Sequence, residues 1–426
     1  MKILLKNGRV IDPVTGMDSV TDILVVDGVI DKIGPVSPGK ELEVLDLKGK
    51  IIAPGFIDMH VHLREPGFEY KETIETGCLA AAAGGFTAIC CMPNTDPPAD
   101  DAAIIRQIIE RSKSACNGIV DVHPIGAATR RREGNQLSPM MELADAGAVA
   151  FSDDGAPIAH ADVMRRALEY SGMIGKPIIQ HAEDTCLTKG GAMNEGVVST
   201  SLGMPPMPAV AEDAMIARDL KLVEAFMSAY HVAHISTRGA VELVRQAKRK
   251  KLPVTCEATP HHFTLTDESV RSFDTNTKMN PPLRERADVD AVKEGLRDGT
   301  IDVIASDHAP HSFDDKEVEY SHAPFGIVGL ETAVGLSYTE LVAPGLLSIE
   351  ELVQKLSTNP RKILNLPTIR ISIGEHANIT ILDPEEEWVV DVQTFKSKSK
   401  NSPFHGRKLR GRAVAVVNNG KLFRPN

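Results

Sequence analysis

From residue 51 onward the chain alternates between a short apolar run and a helix-patterned stretch, eight times over. The runs fall at 56–62, 86–91, 120–127, 148–151, 177–180, 231–235, 253–258 and 301–305. The helix-like stretches fall at 72–83, 101–114, 139–146, 162–171, 212–227, 239–250, 287–296 and 329–340. Strand–helix repetition on this scale restricts a chain to a parallel sheet with helices outside it, and eight repeats are the count of a (β/α)8 TIM-like barrel. A doubly wound open sheet gives a similar rhythm. The barrel is the better expectation because polar, chemistry-bearing residues cluster at the ends of most runs, as one central mouth requires.

Before and after this region the patterning is β-like. Asn7-Gly8, Asp27-Gly28 and Lys48-Gly49 carry tight-turn chemistry near the N-terminus, and Asn419-Gly420 does so near the C-terminus. Each terminal piece is too small to bury a core alone. The expectation is one small, discontinuous β-sandwich-like domain built from 1–52 plus 373–426, with the barrel spanning 53–372.

The first run ends in His60-Val61-His62. A strand alternates faces, so both imidazoles project to one side, the geometry for two nitrogens on one ion. By itself this motif fits a hydrogen-bonded histidine pair equally well. The other run ends add Ser152-Asp153-Asp154-Gly155, His181-Ala182-Glu183-Asp184, His234 and Ser306-Asp307-His308-Ala309-Pro310-His311. Four histidines and two aspartates at one mouth are poorly explained by packing, since desolvated polar groups need partners. Histidine with carboxylate and no cysteine suits Zn²⁺ in an open catalytic site, and six ligands suffice for one ion or two. In this reading Asp153 is the bridging carboxylate and Asp307 the general base, taking a proton from the nucleophilic water and returning it to a leaving nitrogen.

Charge and cysteine content narrow the partners. Net charge is −11 (47 basic against 58 acidic residues) without a basic cluster, which argues against nucleic acid. Six cysteines without CxxC spacing fit reduced thiols in a cytoplasm. No apolar run approaches the ~20 residues of a membrane span, and the opening residues do not form a signal segment.

With these residues assembled, the chain resembles the amidohydrolase superfamily and, within it, the class I bacterial dihydroorotases. The resemblance is carried by Pro54-Gly55-Phe56-Ile57-Asp58-Met59-His60-Val61-His62-Leu63-Arg64-Glu65-Pro66-Gly67, Cys91-Met92-Pro93-Asn94-Thr95 and Phe151-Ser152-Asp153-Asp154-Gly155. It continues through Thr259-Pro260-His261-His262-Phe263, Ser306 to His311, Ala323-Pro324-Phe325-Gly326-Ile327, Gly329-Leu330-Glu331-Thr332 and Ser397-Lys398-Ser399-Lys400-Asn401-Ser402-Pro403-Phe404.

The resemblance implies reversible closure of N-carbamoyl-L-aspartate to dihydroorotate, in pyrimidine biosynthesis. It implies His60, His62 and Asp307 on one metal, His181 and His234 on the other, and Asp153 between them. It also implies substrate contacts from His62, Arg64, Asn94, Asn280, His311, Phe325 and Gly326. A guanidinium at Arg64 suits an α-carboxylate, although a surface ion pair is the plain alternative. Asn94 and Asn280 fit turns equally well, and His261 and His262 are read as structural. Many two-metal relatives, hydantoinases among them, bridge their ions with a carboxylated lysine where this chain has Asp153-Asp154. That favours a dihydroorotase over a hydantoinase or allantoinase. An inactive homologue supporting aspartate carbamoyltransferase is the non-enzyme alternative, and a homodimer is expected by family analogy.

Overall fold

The computed structural model describes residues 2–37 and 42–425. Eight parallel strands form a barrel: Phe56–Val61, Phe86–Cys91, Asp121–Pro124 continuing into Gly126–Ala127, Phe151–Ser152, Ile178–Gln180, Tyr230–Val232, Val254–Ala258 and Val303–Ile304. Each pairs with the next in order. The circle closes where Val61 bridges His308 in parallel and the His62 N–H donates to the His308 carbonyl at 2.8 Å.

Alternation sorts the strand residues between two apolar layers. Phe86, Phe151, Tyr230, Val232 and Ile304 pack outward under the helices. Ala88, Cys90, Ile179, Ala233, Val303 and Ala305 fill the interior. The first strand departs from strict alternation, with register shifts between Phe56 and Ile57 and between Asp58 and Val61.

The surrounding helices lie close to the stretches that the periodicity predicts, for example Ala102–Ser112, Val210–Phe226, Arg238–Arg249 and Arg286–Arg297. Two differences have local causes. The last helix starts at Ala333 rather than 329, because the N–H of Gly329 is turned to His308 Nδ1 at 3.2 Å. The segment after the fifth strand carries extra elements, the helices Thr185–Thr188 and Val197–Leu202 and the paired strands Met193–Asn194 and Pro206–Met207. These are too short for periodicity to reveal.

Strands from both ends of the chain share one eight-stranded sheet, in which Ile51–Pro54 lies between Lys2–Asp12 and Ile379–Val389. Ile3, Leu5, Ile23, Ile52, Ile379, Ile381 and Val417 form its core, with Ile371 beside them. The long C-terminal strand Ile379–Val389 pairs antiparallel with Lys408–Asn418.

Gly55 joins this sheet to the barrel. Its N–H donates to the Asn378 carbonyl at 2.9 Å and its carbonyl accepts from Ser357 Oγ, also at 2.9 Å. A Cβ there would sit 1.7 Å from Asn378 Oδ1 and 2.2 Å from Thr87 Oγ1. These two side chains are hydrogen-bonded to each other at 2.6 Å, so neither yields cheaply. Gly55→Ala is therefore expected to cost about 1–3 kcal/mol through overpacking, seen as a lower urea midpoint at unchanged m-value.

Candidate active site at the barrel mouth

The closure between first and eighth strands sets the site. Asp58, buried, accepts the Ser306 N–H at 3.0 Å and the His60 N–H at 3.1 Å, which locks the two strand ends together. Burial pushes its carboxyl up to about 7, against the opposing pull of these donors. Two residues on from Ser306, His308 is held by Glu72 at 3.2 Å. Asp307 lies between them at φ 44, a conformation strained for a non-glycine residue and found preferentially at functional sites.

The result is a compact group of imidazoles and carboxylates. His62 Nε2 lies 2.9 Å from Asp307 Oδ1, and His60 Nε2 lies 3.4 Å from the same oxygen. His60 and His234 have ring centroids 5.2 Å apart, and His181 and His234 4.7 Å. His181 Nδ1 is 2.8 Å from His234 Nε2.

The expected bridging carboxylate, Asp153, does not face this cluster. Its two oxygens accept the N–H (2.9 Å) and the hydroxyl of Thr129, on the neighbouring strand end. Asp154 faces it instead. Asp154 Oδ1 lies 3.3 Å from His60 Nε2 and 3.7 Å from His234 Nε2, while Oδ2 lies 3.5 Å from His62 Nε2. The reason is local. The fourth strand ends at Ser152, so alternation no longer governs the residues beyond it, and Ser152 Oγ accepts the Asp154 N–H at 3.0 Å to turn the chain.

The donor set fits a divalent cation. His60–Asp154–His234 and His60–His62–Asp307 each bring three ligand atoms within 4.8 Å of one another, all buried. His60 Nε2 and Asp154 Oδ1 are close, yet neither has an aligned hydrogen-bond partner among the described residues. Buried polar atoms rarely stay unpaired, and these two point toward a common space. Burial alone would lower the His60 ring, yet Asp154, Asp307 and Glu257 hold it well above its ordinary value. Carboxylates gathered this closely repel one another unless positive charge lies among them.

Around the cluster lie the expected substrate residues. Asn94 Oδ1 accepts from His62 Nδ1 at 2.8 Å, and Asn280 Nδ2 donates to Glu183 Oε2 at 2.9 Å, which in turn meets His181 Nε2 at 3.1 Å. Arg64, at φ 61, donates from Nε to the Pro310 carbonyl at 3.1 Å. Burial lowers its guanidinium to about 10, with Asp307 and Asp154 opposing that shift. His311 Nε2 donates to the Phe325 carbonyl at 2.8 Å, and burial together with Arg64, Lys316 and Lys71 drives its ring down to about 2. Gly326 is packed so closely that a Cβ would meet the Ala309 carbonyl at 2.6 Å and His311 Cδ2 at 2.8 Å. Asn401 fastens this segment, its Nδ2 donating to the carbonyls of Ala309 and Gly326 at 3.0 Å each. His262 is bonded to Thr259 Oγ1 and the Pro281 carbonyl at 2.8 Å each.

A family model described as Dihydro-orotase-like matches residues 49–240. The protein named Dihydroorotase from Pelotomaculum thermopropionicum is 53% identical over 424 residues, covering 99% of this chain and 98% of that one. Its namesake from Syntrophus aciditrophicus is 52% identical over 424 residues, covering 99% of each. The chain belongs to the dihydroorotase family. It is thus a cyclic amide hydrolase with the amidohydrolase barrel. Among solved structures, the L-hydantoinase (dihydropyrimidinase) of Arthrobacter aurescens superimposes with a TM-score of 0.86 at 27% identity, covering 99% of this chain and 95% of that one.

Within this dihydroorotase scaffold the two neighbouring aspartates separate cleanly in experiment. Asp154→Asn is expected to weaken divalent-metal retention at least about tenfold, whereas Asp153→Asn stays within about threefold of the unsubstituted protein. Metal per chain, measured after dialysis against graded chelator, checks both.

Proposed function

We propose that this chain is a zinc-dependent dihydroorotase that interconverts dihydroorotate and N-carbamoyl-L-aspartate in pyrimidine biosynthesis. The observation that carries the reading is Arg64, a half-buried guanidinium at the mouth of the barrel, held by the Pro310 carbonyl and within the field of Asp307 and Asp154. A fixed, partly desolvated cation there suits an anionic substrate. Full-length similarity to proteins named Dihydroorotase supports the same substrate.

His60, His62 and Asp307 would hold one divalent ion, and His181 and His234 the other, with Asp154 reaching both groups. When bound, such ions polarise a carbonyl and make water acidic enough to attack near neutral pH. The chain's own residues do the rest. Arg64, with Asn94 and His311 near it, receives the α-carboxylate and so fixes which ring face meets Asp307. The Phe325–Gly326 backbone packs against His311, which its Phe325 carbonyl holds in place. In hydrolysis, water oxygen bonds to the ring carbonyl carbon at the β position, and Asp307 takes the proton lost. The carbon–nitrogen bond then breaks, and Asp307 delivers that proton to the departing ureido nitrogen. In ring closure the ureido nitrogen attacks the β-carboxylate carbon, and the proton travels back through Asp307 to the leaving oxygen.

A hydantoinase-type reading is favoured by structural likeness to solved hydantoinases, the Arthrobacter enzyme among them. That chemistry acts on uncharged cyclic ureides and has no use for Arg64. Homodimerisation, a cytoplasmic location and association with aspartate carbamoyltransferase belong to the same proposal by family analogy. Among the described residues, no helix is long and apolar enough to cross a membrane.

Two outcomes test the roles. Asp307→Asn is expected to lower both ring opening and ring closure by at least about 10²–10⁴-fold while zinc stays partly bound. Full activity in that variant, followed by the absorbance of dihydroorotate, contradicts its role. Arg64→Gln is expected to raise KM for dihydroorotate by about 10–100-fold, the loss of one charge-assisted bidentate contact. Faster turnover of hydantoin than of dihydroorotate by the unsubstituted protein contradicts the substrate.

A further inference from the structure

Behind the His60 ring lies a carboxylate that neither the motifs nor the reaction above uses. Glu257 sits on the seventh strand, fully buried in the barrel interior. Its Oε1 receives His60 Nδ1–H at 2.5 Å and the main-chain N–H of His234 at 3.3 Å. Its Oε2 receives His231 Nε2–H at 3.2 Å. The far nitrogen of His231, Nδ1, meets Thr255 Oγ1 at 2.8 Å. The series Thr255–His231–Glu257–His60 therefore crosses the barrel from the seventh strand to the first, with the sixth between them.

The chemistry of these groups fixes the protons. An ionised carboxylate only accepts, so each ring must turn an N–H toward it. A neutral His60, the form that can hold a metal, therefore carries its lone pair on Nε2, the nitrogen aimed at Asp154 and Asp307 without an aligned partner. His231, protonated on Nε2, accepts at Nδ1, so the Thr255 hydroxyl donates. The same carboxylate also ties the amide of His234, whose backbone stands at φ 31, a conformation that must be held from outside. One side chain thus governs the ring of one candidate ligand and the main chain of another.

We propose that Glu257 is the positioning residue of the metal centre, selecting the His60 tautomer and holding His234 in place, with His231 and Thr255 orienting Glu257 itself. This rests on the reading of His60 and His234 as metal ligands. A carboxylate behind a ligating histidine orients the ring and strengthens it as a donor.

Glu257→Gln keeps the shape but puts an N–H₂ against one of the two rings. The expected result is about 10–100-fold weaker zinc binding by chelator competition. A changed visible spectrum is expected for the cobalt-substituted protein, while thermal unfolding of the metal-free chain stays close to that of the unsubstituted protein. Thr255→Val removes only the outermost donor and is expected to weaken zinc binding less, by under about tenfold, in the same direction. Glu257→Gln that retains the original zinc affinity and cobalt spectrum overturns the proposal. If that variant does not fold, Thr255→Val decides, and unchanged affinity with an unchanged spectrum overturns it. An unsubstituted chain that binds neither zinc nor cobalt defeats the metal reading itself, and this inference with it.

Discussion

Closure of the barrel between its first and eighth strands is the constraint on which the rest depends. Until the strand at Phe56–Val61 meets the strand at Val303–Ile304, His62 is 245 residues of chain away from Asp307. The join is not made by a long ladder, because the eighth strand has only two residues in regular pairing. Asp58 supplies what the ladder lacks, its carboxylate taking N–H groups from both strand ends. Burying a carboxylate is unfavourable unless donors surround it, and here the donors are the main chain that must be fixed. Stability and site geometry thus share the same bonds.

A second tier of contacts holds the mouth from above. Glu72, buried, binds His308, the hydroxyl of Ser397 at 2.5 Å and the Lys398 N–H at 3.1 Å. Asn401 then fastens Ala309 and Gly326. The segment after the long C-terminal strand is therefore part of the active-site wall, although Asn401 lies 92 residues from Ala309 in sequence. Glu331, whose carboxyl burial raises to about 7, accepts the N–H groups of Lys396 and Ser397 and completes this attachment.

Much of this was legible in the chain alone, for physical reasons. Eight apolar runs separated by helix-period stretches leave few ways to bury both, so the barrel followed from patterning, and the polar run ends marked its mouth. Period two placed His60 and His62 together even though the strand carries register shifts. The same rule failed at Asp153-Asp154, where regular pairing stops at Ser152 and the Thr129 N–H and hydroxyl capture the first carboxylate. Glu257 and His231 gave no motif at all. Their meaning lies in partners 197 and 26 residues distant respectively, and only the closed barrel brings those together. Glu183 lay inside the run end His181-Ala182-Glu183-Asp184 without a role, and its contacts with His181 and Asn280 appear only in the folded chain.

The central claim is that Asp154, rather than Asp153, joins the imidazoles around a divalent ion. Anomalous diffraction at the zinc absorption edge, from crystals of the zinc-loaded protein, tests it most directly. The expected map has a peak about 2.0–2.2 Å from His60 Nε2 and from a carboxylate oxygen of Asp154, with Asp153 still on Thr129. A peak ligated by Asp153, or no peak among these histidines, contradicts it.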